Sequence, residues 1–177
     1  MKTIEHRRHS MRSKPGKHLS QPGITLARRV GEEMGSFDWV VTSTVTRAYE
    51  TVVAMGFAVN SRSDLLSTMD DSVSAEAEWD SGFAALAGAA KRHGALWSFA
   101  QEVASLLKDM AEALPKNGRG LVVSHGGIVE ISVTGCLPDL DYDRWGPAAG
   151  YCEGVRLSWE AAGWTDAEPI RVPQPDQ

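Results

Sequence analysis

With 177 residues, 42% of them hydrophobic, the chain is long enough for one domain with its own core and short for two. A net charge of −5 excludes the broad basic surface that nucleic acid requires, so no nucleic-acid partner is expected and any anion site must be local. Cys136 and Cys152 lack metal or disulfide-framework spacing, and no stretch reads as a signal peptide or a membrane span; the expectation is a soluble, reduced, cytoplasmic protein with no membrane partner.

The first strand, from Lys2 to Arg8, runs into a cluster of three arginines and two histidines between His6 and Arg12. In an acidic chain such a cluster is costly to assemble unless it meets an anion, which makes it a phosphate site with His9 as nucleophile. The polar stretch Met11 to Ser20, with Pro15 and Gly16, reads as a loop over the strand's carboxyl end. Ser20 is placed to cap a helix with Pro22 in its first turn, Ile24, Ala27, Val30 and Met34 at helical spacing and Gly35 as its stop.

Phe37 to Ser43 is β-branched and aromatic enough for a second, buried strand, and strand, helix, strand implies a parallel crossover. A helix over Thr44 to Gly56 carries Arg47 in its first turn. Between Phe57 and Glu78 the pattern is poor: Asp64-Leu65-Leu66 suggests an edge strand, and Asp70, Asp71, Glu76 and Glu78 make an acidic insertion, a pattern most often found on a solvated face. Phe83 to Ala90 is helical by propensity, and the apolar stripe from Leu96 to Leu114 predicts a longer helix stopped by Pro115. Gly120 to Ser124 is a third buried strand, followed by His125-Gly126-Gly127 and a short helix, and a hairpin closes the chain. Residues 1–177 are thus expected as one α/β domain, a sandwich around a mostly parallel sheet, with 172–177 as a frayed tail. His6, His18 and His93 are expected toward solvent or in loops, and Arg7 as a surface charge.

Arg8 and His9, Arg47, and His125 fall at three strand ends, where open α/β sheets place their ligands. Two guanidinium forks, two helix N-termini and the paired glycines suffice for a phosphoryl pocket without metal. Metal hydrolysis by His9 and His125 is disfavoured because the adjoining arginines repel a cation.

Four features taken together resemble the histidine phosphatase (phosphoglycerate mutase-like) superfamily: Arg8-His9-Ser10, the helix entry from Leu19-Ser20 to Ala27 with Gly23, Thr42-Ser43 with Arg47-Ala48 and Thr51, and Val123-Ser124-His125-Gly126-Gly127. The resemblance implies a three-layer α/β sandwich with a mostly parallel central sheet flanked by helices. It also implies a phosphohistidine at His9, with Arg8, Arg47 and His125 holding the non-bridging oxygens, no cofactor, and a small phosphorylated substrate or phosphoprotein as partner. Ser10, Arg12 and Gly126 are placed at the phosphate or substrate. Ser10 stands where the family usually has glycine, and the proton donor is left open among Asp70, Asp71, Glu76 and Glu78. Without a donor, good leaving groups such as phosphohistidine or acyl phosphate are favoured. The chain's length favours hydrolase over a phosphoglycerate-type mutase, and a non-catalytic phospho-ligand binding or regulatory module is the rival reading. Nothing in the sequence sets the oligomeric state.

Overall fold

The computed structural model describes residues 1–79, 81–161 and 163–173. Its strands are β1 (Lys2–Arg8), β2 (Trp39–Ser43), β3 (Ser61–Ser63), β4 (Arg119–Ser124), β5 (Gly154–Glu160) and β6 (Gly163–Ile170). They form one sheet in the order β3-β2-β4-β1-β5-β6, whose first four strands run parallel while β5 and β6 are antiparallel. The helices are α1 (Gln21–Met34), α2 (Thr46–Ala54), α3 (Asp71–Ser74), α4 (Phe83–Ala90), α5 (Ala95–Ala113) and α6 (Ile128–Cys136).

The helices cover both faces, giving the expected three layers. On one side the α1 stripe of Leu26, Ala27, Val30 and Met34 packs with Val52 of α2 against Val40, Leu121 and Val123. On the other, Phe99, Val103 and Leu107 of α5 and Ile131 of α6 pack against Ile4, Val122 and Val155. Alternate residues of β4 thus feed opposite cores, as the two-residue strand period requires. Each fully buried aliphatic side chain contributes about 1.5–3 kcal/mol. Ser20 caps α1 by accepting from the Gly23 N–H, and at the end of α1 Gly35 takes a positive φ of 70°.

Local expectations fail where long-range partners decide. Asp64-Leu65-Leu66 is a 3-10 turn, not an edge strand; the edge is Ser61–Ser63 just before it, and Leu66 turns inward to full burial. His6 and Arg7 are corrected too. β1 lies inside the sheet, paired on both sides, with cores packed on both sheet faces, and both residues are buried. His6 is fully buried between Ser132 Oγ at 2.8 Å and Ser124 Oγ at 2.6 Å. The Ser132 hydroxyl proton goes to Val129 O, so His6 Nδ1 carries hydrogen and its Nε2 accepts from Ser124. Arg7 pairs with Glu5 at 2.7 Å and also donates to Cys152 O. In the expected tail, Val172 N–H donates to Glu153 Oε1, whereas 174–177 lie outside the described residues.

Candidate active site

The parallel strands end together, and their loops bring Arg8, His9, Arg47 and His125 to one place. β1 delivers Arg8 and His9. The His9 N–H is tied to Ser124 O at 2.9 Å, which carries the β1–β4 ladder past the strand end. β2 stops at Ser43, and α2 starts three residues later with Arg47 in its first turn and no side-chain cap at Val45. β4 ends at Ser124, so His125 follows directly.

Hydrogen bonding sets the tautomers. His9 Nδ1 lies 2.6 Å from Ser10 O, and a carbonyl only accepts, so Nδ1 carries the hydrogen. The Nε2 lone pair is then free to accept from Arg47 Nε at 2.9 Å. Arg47 also reaches His125 Nδ1 at 3.1 Å. A guanidinium only donates, so His125 carries hydrogen on Nε2 and gives it to Ser43 Oγ at 2.9 Å. The two imidazole rings stand edge to face, centroids 5.1 Å apart. His9 is held neutral with its pKa pushed down to about 3, chiefly by burial and then by the charges of His125, Arg47 and Arg8. His125 is lowered to about 4 by burial and then by the same two arginines. Arg47 itself lies below the ordinary arginine value through burial and the nearby Arg12 and Arg8 charges. Arg8 NH1 donates to Ala149 O at 2.8 Å, while its Nε is buried without a hydrogen-bond partner among the described residues. This is a crowded cationic pocket, and an anion relieves the crowding.

The remaining expected contacts divide. Arg12 sits at the rim, donating to Gly16 O at 3.0 Å. A Cβ on Gly126 would come within 3.2–3.3 Å of the Arg8 guanidinium, so glycine there gives Arg8 its room. Ser10 is corrected from a phosphate contact to a brace: it is fully buried, its Oγ donates to Gly23 O at 2.7 Å and its N–H to Thr51 Oγ1 at 2.9 Å. Its side chain therefore points to the start of α1. The Gly127 N–H is likewise taken, by Glu130 Oε2 at 2.7 Å.

Of the acidic residues, Asp70 caps α3 through Val73 N–H and Ser72, and Glu76 receives the Ala95 and Leu96 N–H groups at the start of α5. These bonds hold both carboxyls below their usual values, the wrong direction for a donor near neutrality. Asp71 is exposed in the first turn of α3. Glu78 is exposed next to Trp79, whose ring fits against Gly127 so closely that a Cβ there would lie 2.4 Å from it. Among the described residues no carboxylate is hydrogen-bonded to Arg8, His9, Arg47 or His125. Nor do any three His, Cys, Asp or Glu side chains group as metal ligands among them.

Three participants escaped the sequence reading. Ser43 was legible as part of a motif but had no assigned partner. Tyr151 stacks on the Arg8 guanidinium at 4.9 Å and its ring lies 6.1 Å from His9, yet 142 positions separate it from His9 and no local pattern marks it. Glu130 bridges Gly127 N–H and, at 2.7 Å, Ala149 N–H, and so locks the carbonyl that holds Arg8. Its signal was the acid three residues beyond a helix cap.

Solved structures share this fold at low identity. A phosphoserine phosphatase from Entamoeba histolytica, solved with 3-phosphoglyceric acid, superposes with a TM-score of 0.71 at 16% identity, covering 98% of this chain and 99% of that one. A mycobacterial glucosyl-3-phosphoglycerate phosphatase complexed with VO3 gives 0.63 at 19% identity over 97% and 100% of the two chains. A phosphoglycerate mutase from Thermus thermophilus gives 0.58 at 18% over 96% and 99%. Among curated proteins, none matches this chain in sequence. The model of the histidine phosphatase superfamily, branch 1, matches residues 2–167, nearly the whole chain. With that match, the chain belongs to the histidine phosphatase superfamily and is by family a phosphatase.

Proposed function

We propose that this chain, acting as one domain, is a metal-independent, cytoplasmic phosphatase that hydrolyses a small phosphomonoester or phosphoprotein group through a phosphohistidine at His9. The observation that carries the reading is the Nε2 lone pair of His9, oriented by Ser10 O and facing Arg47. In the mechanism, substrate phosphate draws the Arg47 donors from His9 Nε2 onto its own oxygens. Nε2 attacks phosphorus, the bond to the leaving oxygen breaks, and a phosphohistidine remains. Water then attacks phosphorus, releasing inorganic phosphate and restoring His9. Arg8 and Arg47 stabilise charge on the equatorial oxygens, the main need in phosphoryl transfer. An adjacent dianion raises the His125 pKa from about 4 and turns it into a cationic donor.

The capped state of Asp70 and Glu76 supports two substrate readings. Either the leaving group departs unprotonated, as from an acyl phosphate or phosphohistidine, or one of the carboxylates free of a capping role, Asp71 or Glu78, supplies the proton, Glu78 being the one beside Trp79. The same observation keeps the binding-module reading in play. Hydrolysis of p-nitrophenyl phosphate by wild type and His9→Ala, with and without EDTA, tests the proposal. EDTA-resistant turnover lost in His9→Ala is expected; phosphate or vanadate binding by an inactive wild type establishes the module instead.

A further inference from the structure

Eight of the chain's twelve arginines fall into two clusters. Three belong to the pocket above. The other five, Arg7, Arg29, Arg119, Arg156 and Arg171, line a separate cavity of about 480 Å³ between α1 and the β1–β5 part of the sheet. That volume suits a small molecule. His9, Arg47 and His125 do not line it.

The charge there is unbalanced. Among the described residues, Glu5 and Glu33 are the only carboxylates lining the cavity beside the five guanidiniums. Glu5, almost fully buried, receives Arg7 at 2.7 Å, Arg119 at 3.1 Å and Arg156 at 3.2 Å. One carboxylate neutralises one cation, and holding three guanidiniums at a single buried carboxylate carries mutual repulsion that an ion pair alone does not need. Outside the lining, Glu168 takes Arg156 at 2.6 Å and Glu153 takes Arg171 at 2.8 Å. Even so, among the described residues five cations meet four carboxylates, and Arg29 donates to a neutral acceptor, Pro173 O. In a protein of net charge −5, this is a local positive well inside a concave wall.

We propose that this cavity is a second, non-catalytic binding site for a small polyanion carrying two or more phosphate or carboxylate groups. Arginine forks match the oxygens of either group in pairs. A ligand with at least two such groups spans from Arg29 on α1 to Arg156 on β5, and its charge relieves the repulsion around Glu5. Arg7 and Arg171 have other duties, since they hold the carbonyls of Cys152 and of Trp145, Pro147 and Ala148 in the strap that carries Tyr151 and the Arg8 acceptor. Tests therefore belong on Arg29 and Arg156.

The experiment is calorimetric titration of the full chain with tripolyphosphate, and in a parallel arm citrate, after the catalytic pocket has been saturated with orthovanadate. One equivalent of either polyanion is expected to bind beside vanadate, more weakly as salt rises. The arm that binds more tightly identifies the phosphate or carboxylate class. Arg29→Glu, an exposed change on α1, and Arg156→Gln should each weaken that binding at least tenfold, with p-nitrophenyl phosphate turnover and the melting transition as checks on folding. No binding beside vanadate in either arm, or binding unchanged in both folded variants, overturns the proposal.

Discussion

Arg8, His9 and His125 stand directly on the ends of paired strands, and Arg47 on the first turn of the helix that follows one; Asp70, Asp71, Glu76 and Glu78 hang on the segment between the 3-10 turn and α4. In the first region the backbone is spent on the sheet ladder, so the side chains project into the crevice and bond one another, as Arg47 does with both histidines. In the second, carboxylates serve as caps, Asp70 for the short α3 beside it and Glu76 for the 19-residue α5 further along the chain. Asp70 and Glu76 are consumed by the N–H groups of α3 and α5. A strand end leaves its polar side chains free for a ligand, whereas an irregular segment beside helix N-termini has its carboxylates drawn into capping them.

The comparison breaks most visibly at Arg47. Arg47→Ala should lower kcat by about 10²–10³, the cost of removing one preorganised donor from a developing charge. A loss under tenfold in steady-state assays would show that the pocket floor does not carry the chemistry. Glu78→Gln sharpens the other side. If Glu78 donates the proton, kcat on an alkyl phosphate should fall about 10²-fold or more while p-nitrophenyl phosphate, whose leaving group needs no proton, is unchanged. Equal effects on both substrates would return Glu78 to the solvated surface.

Smaller effects fall on stability. His6 and His9, near 3, and His125, near 4, all lie below the ordinary 6.5, so the unfolded chain binds more protons between those limits. Stability is therefore complete above pH 6.5 and falls on acidification, each histidine contributing up to about 1.4 kcal/mol per pH unit. Denaturant titrations at pH 7 and pH 5 should show the midpoint decreasing, and His6→Asn should flatten the slope; a flat wild-type profile contradicts the buried, neutral assignment. Glu76→Gln should lower Tm without touching kcat, and a changed kcat would place Glu76 in the chemistry.

What was legible follows the same division. The four pocket residues sit beside strong local signals, namely apolar strands ending on glycine, hydroxyl or imidazole, so their convergence follows once the sheet is parallel. His6 and Arg7 inside β1 were misread because what buries them lies far along the chain: His6 meets Ser124 and Ser132, and Arg7, besides its pair with Glu5, donates to Cys152 O. A strand with charged residues reads as half-exposed until both its neighbours are known. Tyr151 was invisible for the same reason, since only the return of the strap before β5 brings it to Arg8. The identity of Ser10 was plain, but not the direction of its side chain, which depends on the distance of Gly23 from the end of β1.

The central claim, a phosphoryl group carried on His9 Nε2, is tested most directly by rapid alkaline quench of the enzyme during turnover, followed by ³¹P spectroscopy and peptide mapping. A base-stable, acid-labile phosphorus on the peptide containing His9, absent from His9→Ala, is the expected result. Turnover without any such species under conditions where hydrolysis of the intermediate is slowed, or the same species in His9→Ala, would contradict it.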